Sequence, residues 1–191
     1  MLLYIHGFNS SPLSDKGRVT AQFIAQHHPG LRFYQPQLAT APEVAMAELC
    51  LLVETQVQAG EPLAYIGSSL GGYYASYLAE RYGGRAALIN PAVRPFDLFD
   101  DFIGIQYNPY TRESYRVLPE HKQQLVQFDT QVIRNPERFL VCLQTGDEVL
   151  DYRAALHKYA CCQLHIEAGG DHSFVGYEQQ LQRMSQFLCL P

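Results

Sequence analysis

Nowhere in these 191 residues do lysine and arginine gather into a run or stripe; there are 14 of them against 19 aspartates and glutamates, a formal net charge of −5. This lack of clustered positive charge argues against nucleic acid or an anionic membrane as a partner, because both are bound through grouped cations. Cysteine is sparse too. The five residues are an odd number, with no Cys-x-x-Cys pair and no cysteine/histidine spacing suited to zinc. Cys50, Cys142 and Cys189 fall within apolar runs, where a thiol behaves as a small hydrophobe. A reducing compartment, the cytoplasm, is therefore expected. No apolar stretch approaches the roughly 20 residues of a membrane span. Met1-Leu2-Leu3-Tyr4-Ile5 reaches His6-Gly7 without a basic start, a long apolar core or a cleavage site, so no signal peptide is expected. The remaining profile is that of an ordinary soluble protein, 47% apolar and 17% charged, with a length suited to one domain.

Six short apolar runs read as strands buried on both faces: Leu2–Ile5, Leu31–Tyr34, Leu63–Ile66, Ala86–Ile89, Phe139–Leu143 and Leu164–Ile166. Helical segments separate them, over 15–28, 42–59, 70–82, 152–161 and 176–189. Pro42 suits a first helical turn, where a missing N–H costs little. Leu181, Met184, Phe187 and Leu188 repeat at helical spacing in the last segment. Strand alternating with helix predicts a parallel sheet with helices on both faces. Residues 91–138 break the rhythm. They carry Pro91, Pro95, Pro109, Pro119 and Pro136 among several aromatics and no convincing strand. A segment that long inside an α/β domain is expected to be one or two helices covering a site.

Gly67-Ser68-Ser69-Leu70-Gly71 lies between an apolar run and a helical segment, in the pattern Gly-x-Ser-x-Gly. A sharp strand-to-helix turn of this kind exposes its middle serine, which makes Ser69 a candidate nucleophile. An acid and then a histidine should follow in chain order, each just after a strand. Asp147 follows Phe139–Leu143, with Asp151 and Glu148 as competitors; Asp151 could instead cap a helix starting near Tyr152. His172 follows the last strand, on a loop opened by Gly169-Gly170. Acyl transfer also needs two backbone N–H groups aimed at the developing oxyanion. Leu70 would supply one, and the loop His6-Gly7-Phe8-Asn9 the other, from Phe8 or alternatively Asn9.

Several stretches together resemble the YqiA-like esterase group of small α/β-hydrolases. They are Leu3 to Pro12, Ile66 to Tyr74, Asn90 to Phe96, Gln144 to Tyr152 and Gly169 to Phe174. The resemblance implies a three-layer α/β-hydrolase fold and hydrolysis of carboxylic esters or acyl thioesters. On matching positions it implies Ser69 as nucleophile, Asp147 as acid and His172 as base. Ser173 departs from the pattern, where a small residue such as alanine is expected. Larger α/β-hydrolases usually have two strands before the one leading into His-Gly, and here that strand is the first. The expectation is a shortened, all-parallel sheet of six strands in spatial order 2-1-3-4-5-6, with 91–138 as a small helical cap. No metal or organic cofactor is required. Asn9 and Arg94 are candidate substrate contacts, Arg94 for a carboxylate or phosphate unless it pairs with Asp97, Asp100 or Asp101. A catalytically inactive binding or scaffold protein is the alternative. A phosphate-binding loop is a poor fit, because Tyr73 stands where such a loop needs lysine.

Overall fold

The structure is a computed structural model that describes residues 1–191. Its strands, numbered in chain order, are β1 (Leu2–Ile5), β2 (Phe33–Tyr34), β3 (Ala64–Ser68), β4 (Arg85–Ile89), β5 (Gly104–Asn108), β6 (Glu113–Val117), β7 (Phe139–Gln144) and β8 (Gln163–Glu167). The helices are α1 (Asp15–His27), α2 (Pro42–Gln58), α3 (Leu70–Tyr82), α4 (Glu120–Val126), α5 (Tyr152–Lys158) and α6 (Tyr177–Phe187). Six strands form one sheet in the order β2-β1-β3-β4-β7-β8, and every pairing in it is parallel. This is the expected order.

Alternation along each strand divides the core. Leu3, Ile5, Tyr65 and Leu88 face one cluster, together with Met46, Leu49 and Val53 of α2, Leu78 of α3 and Tyr159. Leu2, Tyr4, Ile66 and Ile89 face the other, with Ile24 of α1 and Leu181 and Met184 of α6. Each leucine or isoleucine fully buried this way contributes about 1.5–3 kcal/mol. Local chemistry sets the helix starts. Ser14 Oγ accepts a hydrogen bond from the Gly17 N–H (3.2 Å), and Pro42 opens α2. No helix is long and apolar enough to cross a membrane.

The segment 91–138 departs from the expected helical cover. It holds one α-helix, α4, with 3-10 turns at Pro95–Asp97, Phe99–Phe102 and Pro136–Arg138. It also holds an antiparallel hairpin of β5 and β6, pairing Gly104 with Val117 and Asn108 with Glu113. Tyr73 Oη of α3 donates to the Leu125 carbonyl (2.6 Å), and Phe128 sets its ring edge-on against Tyr74 and Tyr77. The segment is thereby fastened over α3.

Chain order reverses between β1 and β3: β1 leads outward to β2, whereas β3 leads the other way to β4. The loops leaving their carboxyl ends therefore diverge and open a crevice, where open α/β sheets bind ligands. Residues 6–9 and Ser69 stand at those two ends.

Candidate active site

Ser69 joins β3 to α3 with φ +55° and ψ −120°, a conformation disfavoured for any residue with a Cβ. The turn is fixed by close packing. Ser69 N–H donates to the Ile89 carbonyl, and its own carbonyl accepts from Gly72, Tyr73 and Ala92. A Cβ at Gly71 would stand 2.0 Å from the Ile5 carbonyl oxygen, so no larger residue fits between α3 and β1.

The structure brings together the three side chains singled out in the sequence. His172 Nε2 lies 3.0 Å from Ser69 Oγ. His172 Nδ1 lies 2.8 Å from Asp147 Oδ2 and 3.0 Å from Oδ1. A carboxylate only accepts, so Nδ1 carries the proton and Nε2 turns its lone pair towards the serine hydroxyl. The imidazole is 22% exposed and the carboxylate 2%. Burial opposes ionisation of Asp147. The bond to His172, the Leu150 and Val149 N–H groups and the attraction of the imidazole outweigh it, and hold the carboxyl below its ordinary pKa. The two competing acids have other partners. Asp151 caps α5 by accepting from the Arg153 N–H, and Glu148 accepts from the His172 backbone N–H (3.0 Å).

The loop bearing His172 hangs on two buried amides that no sequence motif marks. Gln144, buried at the end of β7, accepts at Oε1 from the N–H groups of Asp171 and Val175. Its amide nitrogen donates to Glu167 Oε2 and the Val175 carbonyl. Asn90, buried at the end of β4, donates to the Asp171 carbonyl (3.1 Å) and accepts from the Gln144 N–H. From α1, Lys16 Nζ donates to the Ser173 carbonyl (2.8 Å). The available signal was position: both amides sit at strand carboxyl ends, where side chains face the crevice.

His6 plays a comparable part beside the serine. Its Nδ1 lies 2.8 Å from the Gly7 carbonyl, which can only accept. Its Nε2 lies 3.1 Å from the Leu38 N–H, which can only donate. The ring is therefore neutral, with its proton on Nδ1. Burial lowers its pKa, partly offset by the Gly7 carbonyl, which raises it. That carbonyl and the Phe8 N–H belong to one trans peptide and point in opposite directions. By holding the carbonyl, His6 turns the Phe8 N–H away from itself. That N–H has no partner within the chain. The Leu70 N–H is the first of α3 and has no helical carbonyl four residues back. Gly7 abuts Ser69, since a Cβ there would lie 3.1 Å from Ser69 Cβ.

Asn9, at φ +50°, ties this loop to the hairpin. Its Oδ1 accepts from Tyr115 Oη and its Nδ2 donates to Gln106 Oε1. Phe8 meets Phe102 and Tyr115 edge-on. The structure does not bring Arg94 to the site. Its guanidinium pairs with Asp97 (2.6 Å), one of the alternatives open in the sequence, and it lines neither cavity near Ser69.

A cavity of about 320 Å³ opens onto Ser69 and His172. Its walls are apolar except for those two residues and Asp101, and include Phe8, Leu98, Phe99, Phe102 and Leu150. A second cavity of about 470 Å³ lies beyond Phe8, Leu70, Phe99 and Leu125, which line both. No group of three or more histidine, cysteine, aspartate or glutamate side chains is placed to hold a metal ion.

The family model described as "Uncharacterised protein family (UPF0227)" matches residues 1–189. A UPF0227 protein of Serratia proteamaculans (strain 568) is 28% identical over 197 residues, covering 100% of each chain. Among solved structures, alpha/beta hydrolase domain-containing protein 10 from mouse superimposes with a TM-score of 0.72 at 13% identity. That match covers 98% of this chain and 89% of the mouse protein. The monoacylglycerol lipase of Paleococcus ferrophilus gives 0.67 at 13% identity, over 100% and 94% of the two chains. The fold is that of the α/β-hydrolases.

Proposed function

This chain belongs to the UPF0227 family and has an α/β-hydrolase fold, and from that premise we propose that it is a serine hydrolase of carboxylic esters or acyl thioesters. The observation that carries the reading is the unbroken line from Ser69 Oγ through His172 to Asp147, at 3.0 and 2.8 Å. His172 takes the Ser69 proton as Oγ attacks the carbonyl carbon, and Asp147 steadies the imidazolium that forms. The Leu70 and Phe8 N–H groups, both without partners in the chain, receive the oxyanion. His172 then gives the proton to the departing alcohol or thiol. Water attacks the acyl-enzyme with His172 again as base, which frees the acid and restores Ser69.

The strained backbone of Ser69 supports a functional site over an inert scaffold, because such strain costs about 1–3 kcal/mol and persists chiefly where function uses it. The segment 91–138 serves as the cap of a single hydrolase domain, and its apolar wall receives part of the ester. All five cysteines are unpaired, which supports a cytoplasmic setting.

The test is labelling by a fluorophosphonate probe together with turnover of p-nitrophenyl butyrate, before and after Ser69→Ala. The folded variant should lose both. Retention of most of the turnover by purified Ser69→Ala would remove Ser69 as the nucleophile.

A further inference from the structure

The second cavity differs from the first in chemistry as well as size. It is walled by the loop after β1, residues 37–42 and the hairpin. Six hydroxyl-bearing residues line it, Ser10, Thr40, Tyr74, Thr111, Ser114 and Tyr115, and of their hydroxyls only that of Tyr115 hydrogen-bonds within the protein. Glu113 lines it at its exposed rim and has no ion-pair partner. The other polar groups there are committed. Asn9 holds Gln106 and Tyr115, and Asn108 holds the Ser10 carbonyl and the N–H groups of Tyr110 and Thr111.

Neither cavity has a lysine or arginine in its wall. The only formal charges are the carboxylates Glu113 and Asp101, since His6 is neutral by its own hydrogen bonds. A phosphate or carboxylate on the substrate would meet like charge and no counter-charge. A hydroxyl both donates and accepts, and so matches each free hydroxyl of the wall. A carboxylate can take two hydrogen bonds from adjacent hydroxyls.

We propose that the second cavity is a subsite for an uncharged, polyhydroxylated portion of the ester substrate, with Glu113 accepting from a vicinal diol. This rests on the serine-hydrolase reading above. The two cavities share the wall residues Phe8, Leu70, Phe99 and Leu125, and Gly7 of the second packs directly on Ser69. A substrate carbonyl at Ser69 can therefore keep one substituent in the apolar cavity and extend the other past Phe8 and Leu70. The hydroxyls could sit on either side of the scissile bond, and the substrates distinguish the two.

The experiment compares kcat/KM for 1-butyrylglycerol with propyl butyrate, where hydroxyls are on the alcohol side. It does the same for ethyl gluconate and ethyl hexanoate, where they are on the acyl side, and includes butyryl-CoA as an anionic thioester. One pair should show a preference of about tenfold or more for the hydroxylated member, the effect of a hydrogen bond to a charged group. Glu113→Leu should bring that ratio close to one. Ratios near one for both pairs, a ratio unmoved by Glu113→Leu, or butyryl-CoA as the best substrate would each overturn the proposal. If the wild type hydrolysed no ester at all, the hydrolase reading would fail separately. Binding of 1-butyrylglycerol to Ser69→Ala, followed by saturation-transfer NMR, still tests the subsite in that case. Binding weakened by Glu113→Leu upholds the subsite, and binding unaffected by it overturns it.

Discussion

Substitutions at His6 can separate its two hydrogen bonds. His6→Asn places a side-chain N–H near the position of Nδ1 and keeps a donor for the Gly7 carbonyl. His6→Gln reaches the position of Nε2 and keeps an acceptor for the Leu38 N–H. His6→Leu keeps neither. If the Gly7 bond holds the peptide whose N–H we assign to the oxyanion, kcat should follow that bond alone. The ceiling is the loss of one oxyanion donor, about 10²–10³ in kcat. A peptide loosened rather than removed should lose about 10–100-fold in His6→Gln and His6→Leu, and under about tenfold in His6→Asn. KM should hardly move, because the oxyanion exists only past the ground state. Stability follows a different order. His6 is 4% exposed, and His6→Leu leaves the Gly7 carbonyl and the Leu38 N–H unpaired. Each unpaired group costs about 1–3 kcal/mol.

The assay is steady-state hydrolysis of p-nitrophenyl butyrate beside urea unfolding of the same preparations. Acid adds an independent readout. The His6 pKa is depressed in the fold, so the unfolded chain takes up a proton first as pH falls. Its contribution to stability is complete above the ordinary histidine value of about 6.5, and drains as pH drops towards the lower folded value. His6→Asn should lose urea resistance less steeply over that interval than the wild type. Equal kcat for His6→Asn and His6→Gln at matched stability, or a loss carried wholly by KM, would refute the reasoning.

Two further substitutions test the support of the catalytic line. Asp147→Asn should lower kcat by about 10⁴ through loss of the correct imidazole tautomer, while fluorophosphonate labelling slows in step. It should also abolish the part of acid stability that Asp147 supplies. The Asp147 pKa is depressed, so that part is present above the ordinary carboxylate value and is lost as pH falls through the folded one, as acid unfolding monitored by circular dichroism would reveal. Gln144→Leu strips partners from Asp171, Val175 and Glu167, and should cost about 2–3 kcal/mol, or on the order of 5–10 °C in Tm. Its kcat should fall further than that of an equally destabilised variant elsewhere, and a kcat no lower than such a control would argue against a role in holding His172.

Much of this architecture was legible because its signals are local. The six sheet strands are short apolar runs between punctuating residues, and buried parallel strands leave that mark whatever surrounds them. Ser69 was visible because a turn this tight demands glycine at 67 and 71. His172 and Asp147 were visible because each stands just past a strand. The hairpin was not legible. Gly104–Asn108 and Glu113–Val117 lie partly exposed and bear polar residues such as Gln106, Ser114 and Arg116, so they lack the apolar pattern used to find strands. They pair with each other and are tied to Asn9 and Ser10 of the loop after β1, a contact no short window of sequence contains. Gln144 and Asn90 escaped for a similar reason, since an amide at a strand end acquires meaning only when the chain folds its partners back upon it. Arg94 looked like an anion receptor because sequence gives charge without direction, and Asp97 is the neighbour that takes it.

The bolting of residues 8–10 to the hairpin, through Asn9 to Tyr115 and Gln106 and through Asn108 to Ser10, has a consequence for engineering. The insertion between β4 and β7 is no interchangeable module. Transplanting it from a relative with different residues at those contacts would disturb the half of the proposed reaction centre contributed by the loop after β1. Successful chimeras should need the first ten residues and the hairpin moved as one unit.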